Sequence, residues 1–274
     1  MIGAMLTLLA PILGGFVYGF ERIIKARMQS RVGPPLLQPF YDFFKLMDKR
    51  ALMIHSLHAL MGIMYFISEW FALGVLLLGQ DLLIAVFFHV IAVLALVIGA
   101  SSVRSPYSVL GGLRELMHMI SYEPLMVIMV IAFYVVTGSF NINDILNFDG
   151  YPILKLPLVF IAYVLTIPML LQKSPFDIAE AHQEIIGGPE IEYSGPFYEA
   201  LYTGKWIEYI YVFTFVFLFA GNHYLLGAGL VIGVFFFINL LDNSTARLDF
   251  RRMVKFAWAL LIPMAILNVV LLAL

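Results

Sequence analysis

The chain has no cysteine among its 274 residues. It therefore cannot form a disulfide, ligate an iron–sulfur cluster through thiolates, or hold a nickel–iron centre by sulfur. Charge is scarce as well. Only 12% of residues are Asp, Glu, Lys or Arg, 62% are hydrophobic, and the mean hydropathy is +0.95. A soluble domain of this size could not cover its surface with so few charges. No basic patch offers a footprint for nucleic acid. No glycine-rich phosphate loop follows a strand, and no nucleophile, base and orienting acid form a set, which argues against catalysis by this chain alone. His55 with His58, and His182 with Glu184, have ligand-like spacing but too few further ligands nearby, so no metal site is expected.

What is present is apolar sequence in lengths that cross a bilayer. Such stretches fall at roughly 2–20, 57–79, 82–100, 115–137, 153–172, 206–223, 224–241 and 256–274. They predict an all-α integral membrane protein of eight transmembrane helices, read as one domain over residues 1–274. An even number puts both termini on one side and loops 21–56, 101–114, 173–205 and 242–255 on the other. That second face holds every lysine and arginine except Lys155. By the positive-inside rule it is cytoplasmic, with the termini outside. Within 36–50, Gln38, Asp42, Lys45 and Lys49 recur at helical spacing while Leu37, Phe40, Phe44 and Met47 fill another face. This predicts an interfacial amphipathic helix on the cytoplasmic side.

A carboxylate in mid-membrane costs on the order of 3 kcal/mol, so each one kept there is a functional candidate. Glu69 lies near the middle of the second span, and Glu123 about 12 Å into the fourth. Both are candidate proton carriers; a neutral, hydrogen-bonded structural acid is the alternative. His89 reads more simply as a satisfied core histidine. The loop 173–205 carries Asp177, Glu180, Glu184, Glu190, Glu192 and Glu199 against only Lys173 and Lys205. If helical, Asp177, Glu180 and Glu184 share one face and offer short steps for proton transfer. Interleaved Phe176, Ile178, Ile185, Tyr193 and Phe197 argue that this loop packs.

Three blocks carry a resemblance. The first runs from Glu21-Arg22 through Ala26-Arg27-Met28-Gln29-Ser30-Arg31-Val32-Gly33-Pro34 to Leu37-Gln38-Pro39-Phe40, with Asp42 and Lys45. The second is Leu110-Gly111-Gly112-Leu113-Arg114 leading to Ser121-Tyr122-Glu123. The third is Pro175-Phe176-Asp177-Ile178-Ala179-Glu180, continuing through Glu184 to Glu192-Tyr193 and Gly195-Pro196-Phe197; a looser fourth is Asp242-Asn243-Ser244 with Ala246-Arg247-Leu248. Together they resemble the membrane subunit shared by respiratory complex I, at its quinone site, and the energy-converting membrane-bound hydrogenases. The resemblance implies that Glu123, Glu180, Glu184 and Glu192 line an acidic funnel between a redox arm and antiporter-like subunits, with Arg27, Arg31 and Arg114 at the junction. It also implies that Glu21, Arg22, Asp42, Lys45 and Arg247 face the redox arm, in the cell membrane of a prokaryote.

Two departures point to the hydrogenase branch: only Pro34-Pro35-Leu36 separates Gly33 from Leu37, and His182 stands where complex I carries an acid. His182 thus puts an imidazole where a fixed carboxylate would stand and joins the proton-coupling candidates. The expectation is an anchoring and proton-coupling subunit of a ferredoxin-linked, ion-translocating hydrogenase-type complex. This chain would bind no cofactor; iron–sulfur clusters and the nickel–iron site would sit in hydrogenase-like large and small partner subunits. A quinone-site subunit of complex I and the equivalent subunit of a sulfane sulfur reductase are the alternatives. A stand-alone transporter would show inverted repeats, which the sequence lacks.

Overall fold

The computed structural model describes residues 2–274. Among these no β-strand occurs, only an isolated bridge between Asp81 and Asn141. The long helices are α1 (Ile2–Met28), α3 (Ser56–Leu77), α4 (Leu82–Ser102), α5 (Pro106–Thr137), α6 (Pro157–Leu170), α7 (Pro196–Leu218), α8 (Tyr224–Ser244) and α9 (Phe250–Leu272), with the short α2 (Gln38–Met47) after α1. Six of them, all but α6 and α7, are long and apolar enough to cross a membrane by length and composition. Helix α7 has the length, 23 residues, but carries Glu199, Lys205 and Glu208. Helix α6 is apolar but only 14 residues long, and its expected start is taken by the separate turn Pro152–Lys155.

Helix ends explain why several elements outrun the apolar stretches. Helix α1 continues to Met28 because Glu21-Arg22 and Lys25-Ala26-Arg27 favour helix, and the cations in its last turn suit the negative end of the dipole. Helix α5 starts at Pro106, where a missing N–H costs nothing, and ends at Gly138 with φ 77°. Arg114 and Glu115 are therefore helical, and Glu123 lies past the midpoint of a 32-residue helix rather than near its beginning. Helix α7 likewise begins ten residues before the apolar run, at Pro196. Asp81 caps α4 by accepting the Leu83 and Ile84 N–H groups at 2.8 and 3.4 Å. Gly221, with φ 57°, turns the chain between α7 and α8, so these are two helices and not one re-entrant segment.

Helices α3, α4, α5 and α7 form the centre of the bundle, with α1 against α7 and α9 against α5 and α6. Their shared core includes Leu73, Tyr122, Met126, Phe133, Tyr163, Tyr211 and Phe215, all nearly inaccessible. The amphipathic α2 sets Phe40 edge-on to Trp206 while Phe44 and Met47 stay exposed.

The 171–195 segment packs as its apolar residues suggest, but it is not a helix carrying an acidic row. Only His182–Ile185 makes an α-helical turn; the chain then leaves helical space at Ile186 (φ 55°) and Gly187 (φ 101°), and Gly188–Glu190 follows as a 3-10 turn. Glycines admit it to the bundle. Tyr193 lies between α3 and α4, its ring stacked 3.8 Å from that of His58, where a Cβ on Gly62 would stand 2.7 Å from the tyrosine. A Cβ on Gly111 of α5 would come within 2.5 Å of the Gly188 and Pro189 backbone. Backbone cannot yield as a side chain can, so Gly111→Val should destabilise the docked segment by about 1–3 kcal/mol. Limited proteolysis should then cut the variant between residues 181 and 195 faster than the wild type; equal cutting would contradict the packing.

Candidate functional site

The segment, α1, α2, α7 and the end of α8 enclose a charged cavity of about 560 Å³. Glu21 of α1 is buried there, paired with Lys173, accepting the Tyr209 hydroxyl at 2.6 Å and meeting Lys25 at 3.2 Å. Lys25 also meets Asp242 at 2.5 Å, and Asp242 accepts the Ser174 N–H at 3.0 Å. Arg22 pairs with Asp42 of α2 at 3.1 Å. Deeper along α7, Lys205 is held between Glu180 and Glu190, the latter at 2.6 Å. At the outer edge Arg247 bridges Asp177 at 2.9 Å and Glu184 at 3.3 Å, while Arg114 reaches Glu184 at 2.7 Å and the Ile178 carbonyl at 3.0 Å.

Charge continues inward from this cavity. Glu208, one turn beyond Lys205, lines the cavity and accepts the Tyr65 hydroxyl at 3.2 Å. Glu115 is buried and accepts the Gln172 amide at 2.5 Å. Both feel the field of Lys205 and of His89. Past them Glu69 of α3 and His89 of α4, neither with any exposure, meet at 2.7 Å, and Glu123 of α5 stands 4.0 Å from the other side of the imidazole. Three central helices thus each contribute one titratable group to a common point.

This arrangement regroups the residues expected from sequence. Glu69 and Glu123 come together, but with His89 and not with the acidic segment. Glu180 reaches the line through Lys205, and Asp177 and Glu184 form an outer clamp with Arg114 and Arg247. His182 is exposed and lines the cavity rim, as does Lys45. Among the described residues Glu192 makes no ion pair, and it lies toward His58, away from the cavity; Glu190, two residues earlier, takes the inward position. Arg27 and Arg31 are exposed beyond the cavity, Arg31 bonding Gln29 at 2.8 Å. Sequence reasoning passed over Glu115, Lys173, Glu190, Lys205, Glu208 and Asp242 as site residues. Glu208 was detectable, since it lies inside an apolar stretch as Glu69 does.

Two groups of the segment, Glu180 and Lys173, titrate near neutrality. Burial pushes the Glu180 carboxyl up to about 7, Glu190 adding to the effect and Lys205 opposing it. Burial pulls the Lys173 ammonium down to about 7, against the pull of Asp242. Burial also raises Asp177, opposed by Arg247, whereas the hydrogen bond from Arg114 holds Glu184 below the usual carboxylate range. The cavity can therefore take up or release protons near neutrality.

A polytopic helical bundle that opens a charged cavity at one end and continues it inward as paired titratable groups defines an integral membrane protein with a charged interior site. The chain belongs to the NADH dehydrogenase family, whose model matches residues 1–273. It is 31% identical to a subunit of the NADH-quinone oxidoreductase of Brevibacillus brevis, over 98% of this chain and 91% of that protein. The subunit of the same name from Geobacillus kaustophilus is 30% identical over 99% and 92%. A chain of the membrane-bound sulfane sulfur reductase, an archaeal respiratory membrane complex, superposes with a TM-score of 0.89 over 98% of both chains; at 24% identity this shows a common fold. The family resemblance read from the motifs is thus borne out.

Glu180 also predicts a pH dependence. Its folded value of about 7 lies above the ordinary 4.5, so its contribution to stability is fully present below about 4.5 and is lost as pH rises through about 7. Lys173, depressed from 10.5 to about 7, acts in the window above, where its contribution grows with pH. Between pH 5 and 7 the wild-type assembly should lose melting temperature relative to Glu180→Gln; parallel melting curves would show that Glu180 is not buried as described.

Proposed function

We propose that this chain anchors a soluble redox arm in the membrane and couples that arm's turnover to ion movement, as a subunit of a ferredoxin-linked, hydrogenase-type respiratory complex. The observation that carries the reading is the line of paired titratable groups running from Lys205, Glu180 and Glu190 in the cavity to Glu69 and Glu123 between the central helices. A change of charge in the arm shifts the protonation of Glu180 and its neighbours, and Lys205 and Glu208 transmit that shift inward by their fields. Exposed Arg27 and Arg31, with Arg22 and Lys45 at the cavity, supply a cationic docking face for the hydrogenase-like large and small subunits, which hold the iron–sulfur clusters and nickel–iron site. Antiporter-like membrane subunits receive the coupled ions. The distribution of lysine and arginine makes the docking face cytoplasmic. Pro34-Pro35-Leu36 and His182 support the hydrogenase branch.

A second reading has its own observation. The cavity lies between α1, α2 and the acidic segment and is large enough for a quinone head group, and relatives named above are subunits of NADH-quinone oxidoreductases. Its walls are charged, which suits ions and protons better than a neutral ring.

The intact assembly, purified in mild detergent through this chain, should evolve hydrogen from reduced ferredoxin or a viologen dye. Glu123→Gln should leave that assembly intact and lower coupled turnover about tenfold or more. Absence of hydrogen evolution together with inhibitor-sensitive quinone reduction would favour the second reading, and normal ion movement in Glu123→Gln would remove the coupling role.

A further inference from the structure

His89 is held unlike an ordinary buried histidine. His118 shows the ordinary case: its Nδ1 meets the Met169 carbonyl at 3.2 Å and no acid faces its ring. On His89 both ring nitrogens face acids from different helices. Nδ1 lies 2.7 Å from Glu69 Oε1, and Nε2 lies 4.0 Å from Glu123 Oε1, with the Tyr122 hydroxyl at 3.4 Å. Tyr211 stacks on the ring at 4.9 Å and fixes its plane. Glu69 Oε2 and both oxygens of Glu123 are buried with no hydrogen-bond partner among the described residues. Nothing anchors the Glu123 carboxylate where it stands, and a shift of about 1 Å brings it into hydrogen-bond range of Nε2.

We propose that His89 relays protons through its ring between Glu69 and Glu123, an inference that rests on the coupling reading above. The protonated Glu69 carboxyl gives its proton to Nδ1 as the Nε2 proton passes to the Glu123 carboxylate. One O–H and one N–H bond break, one of each forms, and the imidazole ends neutral in its other tautomer. Two acids and one base hold a single negative charge before and after, so no step adds an unpaired charge to the apolar bundle. A further proton moves the same way once Nδ1 has lost its proton and Nε2 has gained one. The other titratable groups facing this point are Tyr122 and Tyr211, with Glu208 and Tyr65 on the cavity side of Glu69.

The test uses the intact assembly carrying 15N-labelled histidine, with infrared difference spectra triggered by reduction. A carboxylic-acid C=O band should exchange between two frequencies together with an isotope-sensitive imidazole band, and Glu69→Gln and Glu123→Gln should each delete one of the two. In His89→Gln, which keeps an amide donor and acceptor but cannot titrate, the number of ions moved per electron should fall about tenfold or more. An imidazole band that stays constant while the carboxyls change overturns the relay, as does wild-type ion movement in His89→Gln. The wild-type spectra decide the matter even where a variant fails to assemble. Carboxyl and imidazole exchange in an assembly that moves no ions would instead overturn the coupling reading and leave the relay standing.

Discussion

An ionised side chain inside a lipid-embedded bundle costs several kcal/mol unless opposite charge and hydrogen bonds are set against it. The arrangement of this chain follows from how each such group is matched. Lys205 sits between two carboxylates, Glu21 is surrounded by two lysines and a tyrosine, and Glu69 faces an imidazole. Each match needs partners from separate elements, so helices α1, α5, α7 and α8 are tied to the 171–195 segment, and α3 to α4, through charge as well as through packing. Small residues make this feasible. Without the notches at Gly62, Gly99 and Gly111, the segment that carries Glu180 and Glu190 could not lie against the helices whose interior acids it faces.

The matching is incomplete in a way that bears on function. Among the described residues Glu123 has no partner within hydrogen-bond reach, and one oxygen of Glu69 has none. A purely structural network would be expected to satisfy its members, since a half-satisfied one is less stable than an apolar core. Unused acceptor capacity at the inner end, beside groups at the outer end that exchange protons near neutrality, is the pattern of a site that changes occupancy.

The helices and the amphipathic α2 were legible because lipid imposes length and periodicity on sequence, and the packed character of the acidic segment was legible from its aromatic residues. The site was legible only in part. Hydropathy locates where an apolar run begins, not where a helix begins, so Arg114 and Lys205 read as loop residues although α5 and α7 extend under them, and Glu115 fell at the very edge of its stretch. His89 read as core because its acids are remote in sequence, Glu69 across a helical hairpin and Glu123 on the following helix. The same limit explains Glu192: spacing shows that acids are dense in this segment, while the turn at Ile186 to Gly188 decides that Glu190 points inward. Glu208 is different, because its place inside an apolar stretch was visible and marks it by the same rule that marked Glu69.

Cavity and interior acids form one connected line, and Glu208 is where they join. A single-step reduction of the intact assembly, followed with a pH-indicating dye, measures the protons taken up by that line. Clear uptake is expected in the wild type, and its loss in Glu208→Gln. Equal uptake in the two would contradict the connection, because the outer ion pairs would then titrate without the interior.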